Sequence, residues 1–358
     1  MKTPGLSSDT ANVRASMTAP VAARSQRNGR REACFQLILD DPLEPASSLE
    51  MFRRHGDDLL DRWDGRLLVR TIFVGARQVA FSSEFFGTLA RPKVRITVED
   101  ARCMDEIAAC ARATFVTVPP DYRTLAAADP VIDALDRRYA GFRPVLQPNL
   151  LGAMIRCISA QQVNLSWAAT GRRRLAEAFG QRHSVGGNLV YSLDPGRLAA
   201  LNIADIRALQ FTNRKAEYII NLARIIAAGE LTLESLRARA DDAVIAALVP
   251  IRGIGLWTAE WVLARVLGRP RVVAGDLGVR KAVGLAYFAG RMPSEEEVRA
   301  ATIPWGASAA VVQALLLHGL AEKTLVPAQT RPLQPIPTAA LNDGVRRPRI
   351  TKKVSRPA

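Results

Sequence analysis

Residues 241–283 read DDAVIAALVPIRGIGLWTAEWVLARVLGRPRVVAGDLGVRKAV, and the punctuation of this stretch decides the fold. An apolar helical run reaches Val249, and Pro250 ends it because proline clashes with the preceding turn and brings no N–H. Ile251-Arg252-Gly253-Ile254-Gly255 then forms a tight hairpin. Its two glycines let the backbone take positive φ and approach another surface closely. A second helix starts near Leu256 or Trp257. Its unpaired N–H groups and positive dipole end make an anion clamp that needs no charged side chain. Val272-Val273-Ala274-Gly275-Asp276 follows, a β-branched run that delivers one acid, and Leu277 opens the next helix. Asp276 reads as the N-cap of that helix. A carboxylate oriented in this way is also what an enzyme needs beside a developing cation.

Working outward, residues 119–324 read as short capped helices separated by Gly or Pro, the pattern of a compact helical bundle. NLLGAMIRCISAQQVNLSWAATGRRRLAEAFG reads as one long helix ending at Gly180. Upstream of Pro119-Pro120, residues 32–118 alternate strand-length apolar runs (CFQLILD, RLLVRTIFVG, QVAFSS, KVRITVED) with one or two helical patterns. The expected fold is therefore α+β: a small N-terminal antiparallel sheet-plus-helix domain, then an all-α bundle. The hairpin occupies about 241–267 and the loop carrying the acid about 270–277. Residues 1–31 and 325–358 read as disordered tails, the second rich in proline.

The 358 residues carry a net charge of +15. The two tails hold +5 and +6 of it, which favours a polyanionic partner through sequence-independent phosphate attraction. No run approaches the ~20 apolar residues of a membrane span, and the polar N-terminus lacks the apolar core of a secretory signal. Cys34, Cys103, Cys110 and Cys157 show neither CxxC nor zinc spacing, so the expected setting is a reducing cytoplasm. His318 reads as a core histidine. Arg214 and Lys215, at a helix start, read equally as phosphate contacts or an exposed basic turn.

GIGLWTAEWVLAR followed by VAGDLGVRKAV resembles the helix-hairpin-helix-Gly/Pro-Asp superfamily of base-excision DNA glycosylases. The resemblance extends upstream to Tyr139–Pro144 and LLGAMIRCISAQQVN, and downstream to Ile303-Pro304-Trp305 and ALLLHGL. Within the superfamily it is nearest to the 3-methyladenine-DNA glycosylase II branch. It implies that the partner is double-stranded DNA containing damaged bases, and that Asp276 stabilises the positive sugar formed as an alkylated base leaves. It also implies that Trp257, Trp305 and Trp261 belong to a base pocket suited to cationic purines. Gly253, Ile254, Gly255 and Thr258 would hold the backbone, and Gln161, Gln162 and Asn164 would sit against the duplex. Gln162 stands where the relatives insert an apolar wedge beside the flipped base. Trp257 stands where bifunctional members carry a Schiff-base lysine, so no lyase activity is expected. All four cysteines precede the region where iron–sulfur members hold their cluster. A monovalent cation on the hairpin backbone occurs in the superfamily, and the sequence is silent on it. No other cofactor is expected, and the protein is expected to act as a monomer.

Three other readings share part of this pattern. A glycosylase for oxidised or mismatched bases would usually carry the lysine or the cysteine cluster. A non-catalytic helix-hairpin-helix DNA-binding protein would need the clamp without Asp276 or the aromatics. A helical interaction scaffold with basic tails would need neither.

Overall fold

The computed structural model describes residues 26–27, 30–40 and 42–326. The charged tails expected to lack structure lie mostly outside that range. Inside the first of them, Gln26–Arg27 and Arg30–Arg31 pair as a short antiparallel ladder.

The N-terminal domain is a five-stranded antiparallel sheet. Its spatial order is Ala33–Ile38, Arg91–Val98, Arg77–Thr88, Leu67–Val74 and Arg62–Trp63. Period-two alternation sorts the side chains. Val79 and Phe81 join Phe35, Leu37 and Ile96 against Ile107 and Ala111 of the Met104–Arg112 helix. Ala80 and Val69 point to the other face, where Val185 and Val190 cover them.

Those covering residues correct the all-α reading of 119–324. Gln181–Val185 and Asn188–Ser192 form a β-hairpin. Gly186 and Gly187 take φ of +54° and +79° at its two-residue turn, as the twist of a tight hairpin demands. A buried polar chain fixes the hairpin to the sheet: His183 shares Nδ1 with the Glu99 carboxylate at 3.1 Å and Nε2 with Ser192 Oγ at 2.8 Å.

The remaining chain is helical and packs into two lobes. The first is built on Leu150–Ala160, Leu165–Phe179, Asn213–Ala227, Asp241–Leu248 and Leu256–Arg265. The second joins Tyr122–Ala128 and Pro130–Arg138 to Leu277–Tyr287, Glu295–Thr302 and Ala309–Ala321. The stretch Glu295–Ala321 is long and apolar enough to cross a membrane by length and composition alone. Here its apolar residues fill the second core, where Val312, Leu315 and Leu316 are buried. His318 is buried there too, between Tyr139 and Phe142 with ring centroids 4.5 and 4.7 Å away, in keeping with a core histidine.

The expected single long helix over 149–180 is two helices. Leu150–Ala160 stops at Gln161, exposed Gln162 takes φ +56°, and Asn164 caps Leu165–Phe179 by accepting from the Trp167 N–H at 2.8 Å.

Sheet and first lobe meet across a buried ionic seam. Asp58 lies 2.9 Å from Arg156 and 2.8 Å from Arg172, while Asp61 pairs with Arg70 at 2.8 Å. Burial pushes the Asp58 carboxyl up, but the two guanidiniums outweigh it and hold it below the usual carboxylate range. Burial, with Arg156 alongside, brings Arg172 down to about 10.

Candidate active site

The hairpin forms where expected. Asp241–Leu248 ends before Pro250, and Leu256–Arg265 begins directly after Gly255. The glycines play different parts from those read in the sequence. Gly253 alone takes positive φ, +88°, and a Cβ there would fall 2.3 Å from the Tyr218 ring. Gly255 is extended at φ −102°, exposed, and a Cβ on it would meet nothing within 4 Å. Nothing inside the protein therefore requires a glycine at 255, although a ligand resting on this backbone would. Ile254 is buried in the first core.

Thr258 departs from its expected role. The residue is 1% exposed, and its side chain cannot reach an external duplex.

Asp276 caps Leu277–Tyr287, with Oδ1 accepting from the Val279 N–H at 3.0 Å. Oδ2 accepts from the Trp257 indole N–H at 2.9 Å. That bond crosses between the lobes, since Trp257 belongs to the first and Asp276 opens a helix of the second. The carboxylate is half-buried. Gly278 leaves it room: a Cβ there would lie 3.0 Å from Oδ1.

Side chains that the sequence reading passed over hold the loop in front of Asp276. Gln313 Oε1 accepts from the Val273 N–H at 2.7 Å in a buried setting. Glu260 is fully buried and pairs with Arg271 at 3.0 Å and Arg299 at 2.7 Å. An acid on the buried face of LWTAEWVLAR was the available signal, because a charge there requires partners.

The other expected site residues divide. Gln161 donates its side-chain amide to the Gly253 carbonyl at 2.9 Å, so that group is occupied within the protein and ties the helix break to the hairpin. Gln162 and Asn164 are exposed beside it. Trp261 packs against the first core. Trp305 is 2% exposed in the second core, its ring centroid 6.4 Å from that of Tyr287, and among the described residues no hydrogen bond joins it to Asp276. Lys215 faces inward, donating to the Ser159 carbonyl at 2.9 Å, and burial lowers its pKa; it is not a surface phosphate contact. Among the described residues no group of three or more His, Cys, Asp or Glu could hold a metal.

Residues 155–306 match the family model described as HhH-GPD superfamily base excision DNA repair protein. A Bacillus subtilis (strain 168) protein named DNA-3-methyladenine glycosylase is 33% identical over 183 residues, covering 51% of this chain and 60% of that relative. A second protein of that strain, YfjP, provisionally named for the same activity, is 37% identical over 175 residues, covering 49% and 60%. The chain thus spans 60% of the length of either relative. The fold is similar to that of a 3-methyladenine DNA-glycosylase from Archaeoglobus fulgidus, with TM-score 0.71 and 23% identity over 80% of this chain and 98% of that one. It is also similar to a Clostridium acetobutylicum 8-oxoguanine glycosylase/lyase solved with double-stranded DNA, with TM-score 0.64 and 16% identity over 86% and 99%.

Proposed function

For this chain, whose residues 155–306 match the HhH-GPD superfamily model, we propose a monofunctional DNA glycosylase that hydrolyses the N-glycosidic bond of alkylated bases. One observation carries the reading. The Asp276 carboxylate is fixed at a helix start by two donors, Val279 N–H and Trp257 Nε1–H, on a loop braced beside the hairpin. The hairpin amides would hold phosphate, and the lesion nucleotide would be turned out of the stack toward Asp276.

As the base departs, positive charge grows on the deoxyribose. A carboxylate ~4 Å away is worth roughly 4 kcal/mol at an effective dielectric near 20, about a thousandfold in rate. Asp276 supplies that term and orients the attacking water. Trp257 presents an indole where lyase chemistry would need an amine, so the sugar–phosphate strand stays intact. The two relatives' names support alkylated purines as the substrate class.

The test uses duplexes bearing one 3-methyladenine, 7-methylguanine, hypoxanthine or ethenoadenine. Wild type is expected to release free base and leave an uncut abasic strand, and Asp276→Asn to fall about a thousandfold while melting normally. Tight binding with no base release from any of the four duplexes would point to a binding module and sink the proposal.

A further inference from the structure

Four arginines lie in the segment from the hairpin helix to the end of the Asp276 loop and the turn after it. Three are engaged: Arg269 with Asp241, Arg271 with Glu260, and Arg280 with the Pro293 carbonyl. Arg265 is not. It is half-buried, and no hydrogen bond or ion pair joins its guanidinium to any described residue. A shielded guanidinium with no hydrogen-bond acceptor is unfavourable, so the position implies an acceptor from outside the protein.

Its location narrows the choice. Trp257, Trp261 and Arg265 recur every four residues along Leu256–Arg265, so they share one side of that helix. Burial pushes the Arg265 guanidinium's pKa down, and the one charge acting against that is Asp276. Trp257, at the head of that side, donates to Asp276, so Arg265 lies on the side of the helix that looks toward Asp276. A phosphate is the wrong partner, because phosphate belongs at the helix start, and Arg265 ends the helix some 13 Å farther along its axis. A base whose sugar sat at Asp276 would point its far edge away from that carboxylate, and helix geometry tilts the Arg265 side chain back toward the helix start, where it could meet that edge.

We propose that Arg265 is a specificity-determining residue that reads the far edge of the flipped base and favours purines with a 6-carbonyl. The guanidinium is a planar, donor-only fork. It pairs with the O6 acceptor of guanine or hypoxanthine and finds only an amino group, another donor, at C6 of adenine. This rests on Asp276 being the site of base release.

Two lesion pairs of matched charge test it: hypoxanthine against 8-oxoadenine, both neutral, and 7-methylguanine against 3-methyladenine, both cationic. Single-turnover release is measured for wild type, Arg265→Met and Arg265→Lys, with melting temperatures and the salt dependence of DNA affinity. Arg265→Met is expected to lower release of the 6-oxo member at least tenfold relative to its 6-amino partner in both pairs, with Arg265→Lys intermediate. An equal change for all four bases overturns the proposal, as does a shift that only separates charged from neutral bases. A salt dependence reduced by about one phosphate contact would assign Arg265 to the backbone and overturn it too. Wild type releasing none of the four, or Asp276→Asn retaining full activity, would instead remove the function reading on which it rests.

Discussion

In the seam between sheet and helices, Asp58 is 2% exposed and sits against two guanidiniums. Where the two helical lobes meet, Asp276 is half-buried and accepts from one indole and one backbone amide. The first carboxylate is paired with opposite charge, and its field is consumed in holding two domains together. The second takes its hydrogen bonds from groups that carry no net charge and makes no ion pair with a described residue; Arg265 acts on it only at longer range, so its field remains available to a cation that arrives. The proposed function places the working carboxylate where orientation and charge neutralisation have been separated.

The largest effects should come from unbalancing the seam. Arg172→Met leaves Asp58 with one guanidinium, and removing one partner of a buried pair typically costs 3–5 kcal/mol. Urea unfolding would read this as a lower midpoint at unchanged slope. The same carboxylate sets an acid limb. Its folded pKa is depressed, so its contribution is complete above about pH 4, the unfolded Asp value, and is lost as pH falls through the folded value. Asp58→Asn should be less stable at neutral pH and lose less on acidification; parallel pH curves for variant and wild type would show that the seam charge contributes nothing.

Smaller effects separate the two hairpin glycines. Gly253→Ala is expected to cost about 1–3 kcal/mol through positive φ and collision with Tyr218. Gly255→Ala should leave melting nearly unchanged and weaken duplex binding, because only an external partner approaches that backbone. If both variants lost stability equally, the distinction between them would fail. The smallest effect on DNA binding tests the orienting indole. Trp257→Phe removes one hydrogen bond to a charged group, worth about 1.5–3 kcal/mol, and should lower the base-release rate some tenfold or more with little change in affinity for DNA.

What the sequence could reveal follows the distance between interacting residues. Pro250, Gly253 and Asp276 act on their own neighbours, so the hairpin and the capped acid were legible from local punctuation. The Gly186-Gly187 turn was equally local, and its pattern of alternating residues either side of two glycines was there to be read. The break at Gln162 was not, because no glycine or proline marks it. The seam was invisible for a different reason: Asp58 and Arg172 lie 114 residues apart, and neither is unusual until the fold brings them together. Glu260 and Gln313 brace the Asp276 loop in the same long-range way. Arg265 became conspicuous only once its neighbours were seen to have partners.

The bond from Gln161 to the Gly253 carbonyl joins the turn at Gln162 to the hairpin, two loops far apart in the chain. Against the proposed duplex they would act as a rigid caliper set to a fixed gauge. A gauge that needs no refolding at each position suits one-dimensional scanning, since ordering loops afresh at every step would slow each encounter. Undamaged DNA would be measured and passed over quickly, and the protein would dwell only where the helix yields to the jaws.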